Sequence, residues 1–301
     1  MIIIGIISSS QEEYKEFKQI WIDNINYIKS EENKNKFEFY FLNSERGEKA
    51  RVDKLENYYE LYDDYTEDIR QRRVLKKTFG FFEHIKSKME PSDYVIRTNL
   101  STFMDLKVLL KWVKDKPTCN FFAGPFVGEY YKGKETIISG IHLLLTFDVM
   151  CYILNKSEEI FNYLNNVYDL NKDKQDASFI KYYIEDDNVI SNVINNGYNE
   201  ISILNVPRLS IVELKEFEIP LCGMLQNCKL PLYNKENKVT SDIYVYRFKT
   251  HDRDKDILRM KYLYKEIYKN NFNIIKYCND LELKFYKKGD SEFNYKLSKL
   301  S

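Results

Sequence analysis

The chain has 301 residues, 44% of them hydrophobic and 31% charged, which excludes a disordered chain and allows one large domain or two modest ones. Lysine plus arginine, 46, equals aspartate plus glutamate, 46, so the net positive charge that a general nucleic-acid binder uses to displace counterions is missing, and no nucleic-acid partner is expected. Five cysteines without metal-ligand spacing argue against disulfides and fit a reducing compartment.

The opening MIIIGII is apolar but short, with no basic segment before it and no small-residue cleavage site after it. No later run is apolar for long enough to span a bilayer, so the sequence reads as a cytoplasmic protein without a transmembrane segment.

In chain order, residues 2–7 form an unbroken apolar run, which predicts a strand buried on both faces. Ser10, with Glu12 and Glu13 in the first turn, predicts a helix reaching about Lys29 with Phe17, Ile20, Trp21, Ile25 and Ile28 inward. KFEFYFL, residues 36–42, alternates as a second strand, and residues 67–89 read as a helix with Leu75, Phe79, Phe82 and Ile85 inward. A third strand, Tyr94-Val95-Ile96, runs into RTNLS and then a helix at 103–114. CNFFAGPF is a further strand, and SGIHLLLTFDVMCYIL a turn followed by an apolar helix.

This alternation predicts an α/β fold, a Rossmann-type and mostly parallel sheet with helices on both faces. From about residue 190 a smaller C-terminal part follows, with short strands (EISIL, DIYVYRFK) and one charged helix. The division predicted is a core over 1–190 and a completion of the same domain over 191–301, loose near 280–301. Ligands of such sheets lie outside the carboxyl ends of the strands, which singles out residues 8–10, the stretch from Asn43 onward, residues 97–101 and the segment after Phe122.

Four segments, in order, resemble one known family. VLKKTFGFFEHI is similar to a Leu-x-Leu-Lys-Thr helix, and YVIRTNLSTF lies over Tyr-Val-Leu-Lys-Thr-Asp-Asp-Asp-x-Phe. SGIHLLLTFDVM resembles Ser-Gly-x-Gly-Tyr-x-x-Ser-x-Asp-Val, and KQDASFIKYYI resembles Glu-Asp-Val-Tyr-Val-Gly. Those patterns belong to the beta-1,3-galactosyltransferase and fringe superfamily, which this chain resembles over roughly residues 1–190. It implies the GT-A form of the doubly wound sheet and an inverting transfer of a hexose or pentose. The donor would be a nucleotide diphosphate sugar, UDP- or GDP-linked, and the acceptor a hydroxyl of a glycan or glycoconjugate.

That chemistry needs a carboxylate base, positive charge for the leaving diphosphate, and a pocket for both substrates. Asp176 matches the family's acid position and is the candidate base; it also suits a cap on the helix ASFIKYYI. The nucleotide-sugar side is expected at Ser8, Ser9, Lys77, Arg97, Thr98, Asn99 and Ser101, and the acceptor side at Ser139, Gly140 and His142. A lone histidine beside LLLTF also suits an ordinary semi-buried residue.

The family's three acids are replaced by Asn99, Leu100 and Ser101, which offer only neutral oxygens to a hard divalent cation. Manganese or magnesium is therefore a weakened expectation, and no metal ligand is assigned. Lys249, His251 and Arg253 follow a late strand and open a helix, where they could neutralise a diphosphate. Local pairing with Asp252, Asp254 and Asp256 is the alternative there. The acidic run Glu185-Asp186-Asp187 reads as a helix-end surface.

The leading expectation is a glycosyltransferase. Against it stands a non-catalytic carbohydrate-binding or assembly protein on a decayed transferase fold. A nucleotidyltransferase would need a glycine-rich phosphate loop after the first strand, and none follows Ile7.

Overall fold

The computed structural model describes the chain apart from residues 32, 46–49, 65–69, 131–134, 163, 165–185, 199, 207, 214–219, 224–243, 250–251, 269–283 and 286–301. Strands β1 (Ile2–Ile7), β2 (Phe37–Glu45), β3 (Arg51–Lys54), β4 (Tyr59–Asp64) and β5 (Tyr94–Asn99) are interspersed with helices α1 (Lys15–Ser30) and α2 (Arg70–Lys86). A short strand β6 (Thr102–Met104) precedes α3 (Leu106–Val113). Then come β7 (Phe121–Gly124), β8 (Phe126–Tyr130), β9 (Glu135–Ile138), β10 (His142–Thr146), α4 (Phe147–Asn155) and α5 (Asp186–Gly197). The last described elements are β11 (Ser202–Asn205), β12 (Arg208–Glu213), β13 (Pro220–Gly223), β14 (Val245–Lys249), α6 (Arg253–Tyr268) and β15 (Lys284–Phe285).

These elements fall into two compact units. One holds Met1–Ser10, Ile25–Asn99 and Pro117–Asn205; the other holds Gln11–Asn24, Leu100–Lys116 and Val206–Ser301.

The first unit is built on an eight-stranded sheet in the order β11-β7-β10-β5-β1-β2-β4-β3. Its middle is parallel: β5 with β1, β1 with β2, and β2 with β4. β11 is parallel to β7, while β10 runs antiparallel between β7 and β5, and β3 antiparallel at the edge. This is the mixed α/β, mostly parallel architecture that the sequence predicts.

Alternate residues of β1 face opposite ways. Ile3 joins Val95, Leu143 and Leu145 in one core with Phe79, Phe82, Ile85, Val149, Ile153 and Ile190 from α2, α4 and α5. Ile2, Ile4 and Ile6 on the other face are buried as fully, as are Phe37, Phe39, Phe41, Ile25 and Ile28. An unbroken apolar run is what a strand covered on both sides requires.

In the second unit a five-stranded sheet runs in the order β15-β13-β12-β14-β6. The first part of α1 and α6 meet there through Lys261 on Glu16 and the Tyr268 hydroxyl donating to Asn24 Oδ1. Trp21 Nε1 donates to the Leu100 carbonyl at 3.2 Å, and Asn24 Nδ2 to the Met104 carbonyl at 3.1 Å.

Two predicted elements are corrected. The helix expected at 103–114 starts later, because Thr102–Met104 pairs antiparallel with β14 and Asp105 then caps the helix. The Asp105 side chain accepts from the amides of Lys107 at 3.0 Å and Val108 at 3.1 Å. Likewise, HLLLT is a strand, and the helix begins only at Phe147. A short apolar run suits either element, and here pairing with β5 and β7 decides.

At Gly5 a ring of α2 packs directly against the sheet backbone. A Cβ at this position would lie 2.5 Å from Phe81 Cε1, and Phe81 is itself fully buried, so the ring has no room to retreat. Gly5→Ala is expected to lower stability by about 1–3 kcal/mol through overpacking. Urea denaturation monitored by fluorescence measures this; an unchanged midpoint would show that the helix yields.

Candidate functional site

The carboxyl ends of β1 and β5 lie side by side, with Ile6 opposite Thr98 and Ile7 opposite Asn99. Arg97 stands level with Gly5 on β1 and Leu143 on β10, so its guanidinium leaves the sheet on the face packed by the helices. It is only 2% exposed. A buried guanidinium must find acceptors, and Arg97 Nη1 donates to the Gly140 carbonyl. Asn99 Nδ2 reaches the same oxygen at 3.4 Å, and Thr98 Oγ1 donates to the Ile141 carbonyl at 2.6 Å.

The amide side of Gly140 is held from α5. The Gly140 amide donates to Asp187 Oδ2 at 2.8 Å, and the Ile138 amide donates to Ser191 Oγ at 3.1 Å. A Cβ on Gly140 would lie 2.6 Å from Arg97 Nη1 and 3.3 Å from Asp187 Oδ2. Glycine is needed here because a cation and a carboxylate close on the backbone together. Asp187 also accepts from the Asn188 amide at 3.0 Å and remains partly exposed. The acidic run that reads as a helix-end surface therefore contains a residue of the site. The available signal was an acid at a helix start, which the sequence shares with any capped helix.

Next to this turn, Ser8 is 2% exposed and its amide donates to the Leu42 carbonyl at 3.0 Å. Lys77 is 9% exposed, and its ammonium donates to the Ser8 carbonyl at 2.7 Å. Ser9 is half-buried. Ser139 is buried, donates its amide to the Pro125 carbonyl at 2.8 Å and accepts from the His142 amide at 3.1 Å. The first unit thus gathers Ser8, Ser9, Lys77, Arg97, Thr98, Asn99, Ser139, Gly140 and His142 at the ends of β1 and β5 and the start of β10.

Ser101 belongs to the second unit. It is 5% exposed, and its carbonyl accepts from the Phe248 amide at 3.0 Å. Arg247 Nη1 donates to Thr102 Oγ1 at 3.2 Å. Lys249 ends β14 in the same sheet. Arg253 opens α6 and pairs with Asp256 at 3.4 Å; it also donates to the Tyr14 hydroxyl at 3.3 Å and lies over that ring at 5.6 Å. Asp256 has no exposed side chain and is contacted by Arg259 as well, at 3.5 Å. Local pairing is therefore present at Arg253. Asp176 and His251 lie outside the described residues.

Among the described residues no group of three or more His, Cys, Asp or Glu is placed to hold a metal ion. No described helix is long and apolar enough to cross a membrane.

No protein family is matched by the sequence, and no curated protein is similar to it. A solved structure described as a glycosyltransferase involved in the glycosylation of the major capsid of PBCV-1 is similar in shape, with a TM-score of 0.42 and 7% identity. That likeness covers 87% of this chain and 98% of the other.

His142 is fully buried, and burial pushes its imidazole down from 6.5 to about 3. It stays neutral in the folded chain and takes up a proton on unfolding. Stability is therefore complete above about pH 6.5 and falls as pH drops towards about 3, by up to roughly 1.4 kcal/mol per pH unit from this group. Denaturation of the wild type and His142→Leu across pH 4–7 should show a shallower acid loss in the variant. Parallel curves would mean that the imidazole does not carry this pH dependence.

Proposed function

We propose that this chain is a glycosyltransferase moving a sugar from a UDP- or GDP-linked donor to a hydroxyl of a glycan or glycoconjugate, with inversion. The observation that supports it best is the pair Arg97 and Asp187, cation and carboxylate, closing on Gly140 at the carboxyl ends of parallel strands. That is where open α/β sheets bind ligands. The order of the four family-like segments supports the same reading.

In the proposed reaction the acceptor oxygen bonds to the anomeric carbon while its proton passes to a carboxylate. The bond from that carbon to the phosphate oxygen breaks on the opposite side, and the nucleoside diphosphate leaves with the electron pair. Asp187 is our choice for the carboxylate, held by the Gly140 and Asn188 amides yet partly exposed. Asp176 is the alternative that the sequence resemblance favours. Lys77 and Arg97 would supply positive charge beside the donor.

The family's divalent ion does not fit the residues at this turn. Residues 97–102 include no carboxylate, and the Asn99 amide nitrogen is directed at Gly140.

A second reading, a carbohydrate-binding protein without turnover, is favoured by those same neutral replacements at Asn99 and Ser101. Thermal shift and calorimetry against UDP, GDP and their sugars, with EDTA or manganese, separate the two when followed by donor-consumption assays. Donor should be consumed by the wild type, and Asp187→Asn should lower the rate by about 10²–10⁴-fold while nucleotide affinity is kept. A full loss in Asp176→Asn with Asp187→Asn unaffected would move the base to Asp176. Failure of every nucleotide and nucleotide sugar to bind would favour the second reading.

A further inference from the structure

One face of the sheet carries a cluster that the transfer chemistry does not use. Along β2 and β4, Phe41 is level with Glu60 and Asn43 with Tyr62, so these four side chains share a face. Ile6 is level with Phe41 and Ile7 with Leu42, which places Ser8 next to Asn43 on that same face. Ser8 follows β1 and Asn43 lies near the carboxyl end of β2, both parallel strands.

Asn43 Nδ2 donates to Glu60 Oε2 at 2.8 Å and to the Phe41 carbonyl at 3.3 Å. Both partners are acceptors, so the amide is oriented with its nitrogen towards them and its oxygen away. Glu60 is 9% exposed, and its Oε2 also takes the Tyr62 hydroxyl at 2.9 Å. The Arg51 guanidinium covers the Tyr62 ring at 3.8 Å and helps to hold it.

Two polar groups are left over side by side. Asn43 Oδ1, on a half-buried residue, has no hydrogen-bond partner among the described residues. Ser8 Oγ is buried and also without a partner among them. A buried hydroxyl without a partner is costly, and strand-end groups of this kind point to a ligand. A fixed carbonyl acceptor backed by a carboxylate repels phosphate. Beside a hydroxyl that can donate or accept, it matches the edge of a nucleobase, where a ring N–H adjoins an acceptor.

Resting on the transferase reading above, we propose that Ser8 and Asn43 bind the base of the donor nucleotide. Glu60 and Tyr62 act as positioning residues that fix the Asn43 amide. The diphosphate then lies away from β2 and β4, towards Lys77 and Arg97.

The test is calorimetry on the full chain with UDP, GDP and inorganic pyrophosphate, for the wild type, Asn43→Leu and Glu60→Gln. Glu60→Gln keeps the shape but offers an amide of its own, so Asn43 is free to turn over. Each variant should weaken the preferred nucleotide by about tenfold, the loss of one buried hydrogen bond, and leave pyrophosphate unaffected. Circular dichroism and melting check that the variants are folded. Wild-type nucleotide binding that neither variant alters would overturn the base assignment and leave the transferase reading standing. An equal loss for pyrophosphate would place phosphates here instead and also overturn it. If the wild type binds no nucleotide, the transferase reading fails and this inference with it.

Discussion

A guanidinium in the middle of a sheet governs much of the first unit. Arg97 is 2% exposed and lies on a face otherwise made of Ile3, Val95, Leu143 and Leu145. Burying that charge is unfavourable unless its hydrogens are taken. The Gly140 carbonyl meets part of the need, so the turn before β10 has to come down onto the end of β5. Once it does, a side chain at 140 is excluded, and the Gly140 amide is turned towards α5 and Asp187. One buried cation thereby links the strand end, the turn and the helix start that together form the candidate site.

The sheet around it makes this possible. Because β5, β1, β2 and β4 run the same way, their carboxyl ends present Asn99, Ser8, Asn43 and Tyr62 along one edge of the unit. The apolar residues behind them, buried on both faces, hold these ends in place. Polar side chains at the ends can then be fixed by one or two hydrogen bonds each, as Asn43 is by Glu60 and Asp187 by two amides. A site made from such groups is set before a ligand arrives, which is the main requirement for electrostatic stabilisation of a transition state.

The sequence made some of this plain and hid the rest for physical reasons. β1 and α2 were readable because an unbroken apolar run and a helical stripe each have a single good structural solution. The strand at HLLLT was not, since five buried apolar or neutral residues suit a helix equally until their pairing partners are known. β3 passed unread because its residues are largely exposed and its edge position needs no apolar pattern. In the candidate site, the order of short segments is enough to bring Ser8, Arg97 and Gly140 to the strand ends, and Lys77 reaches Ser8 from α2. Asp187 reads as surface from the sequence, because only the tertiary contact with the Gly140 amide distinguishes it from a helix cap. Arg253 carried two readings, and its contact with the buried Asp256 is a partner that spacing alone could not choose.

The central proposal is that the ends of β1 and β5, closed by the Gly140 turn and Asp187, receive a nucleotide sugar. A crystal structure of the chain grown with the nucleotide sugar that stabilises it most tests this directly. The account predicts density for the sugar within hydrogen-bond distance of Asp187 and the Gly140 turn, with the nucleotide running past Ser8. Density at any other place on the chain, with this turn left without ligand, would contradict it.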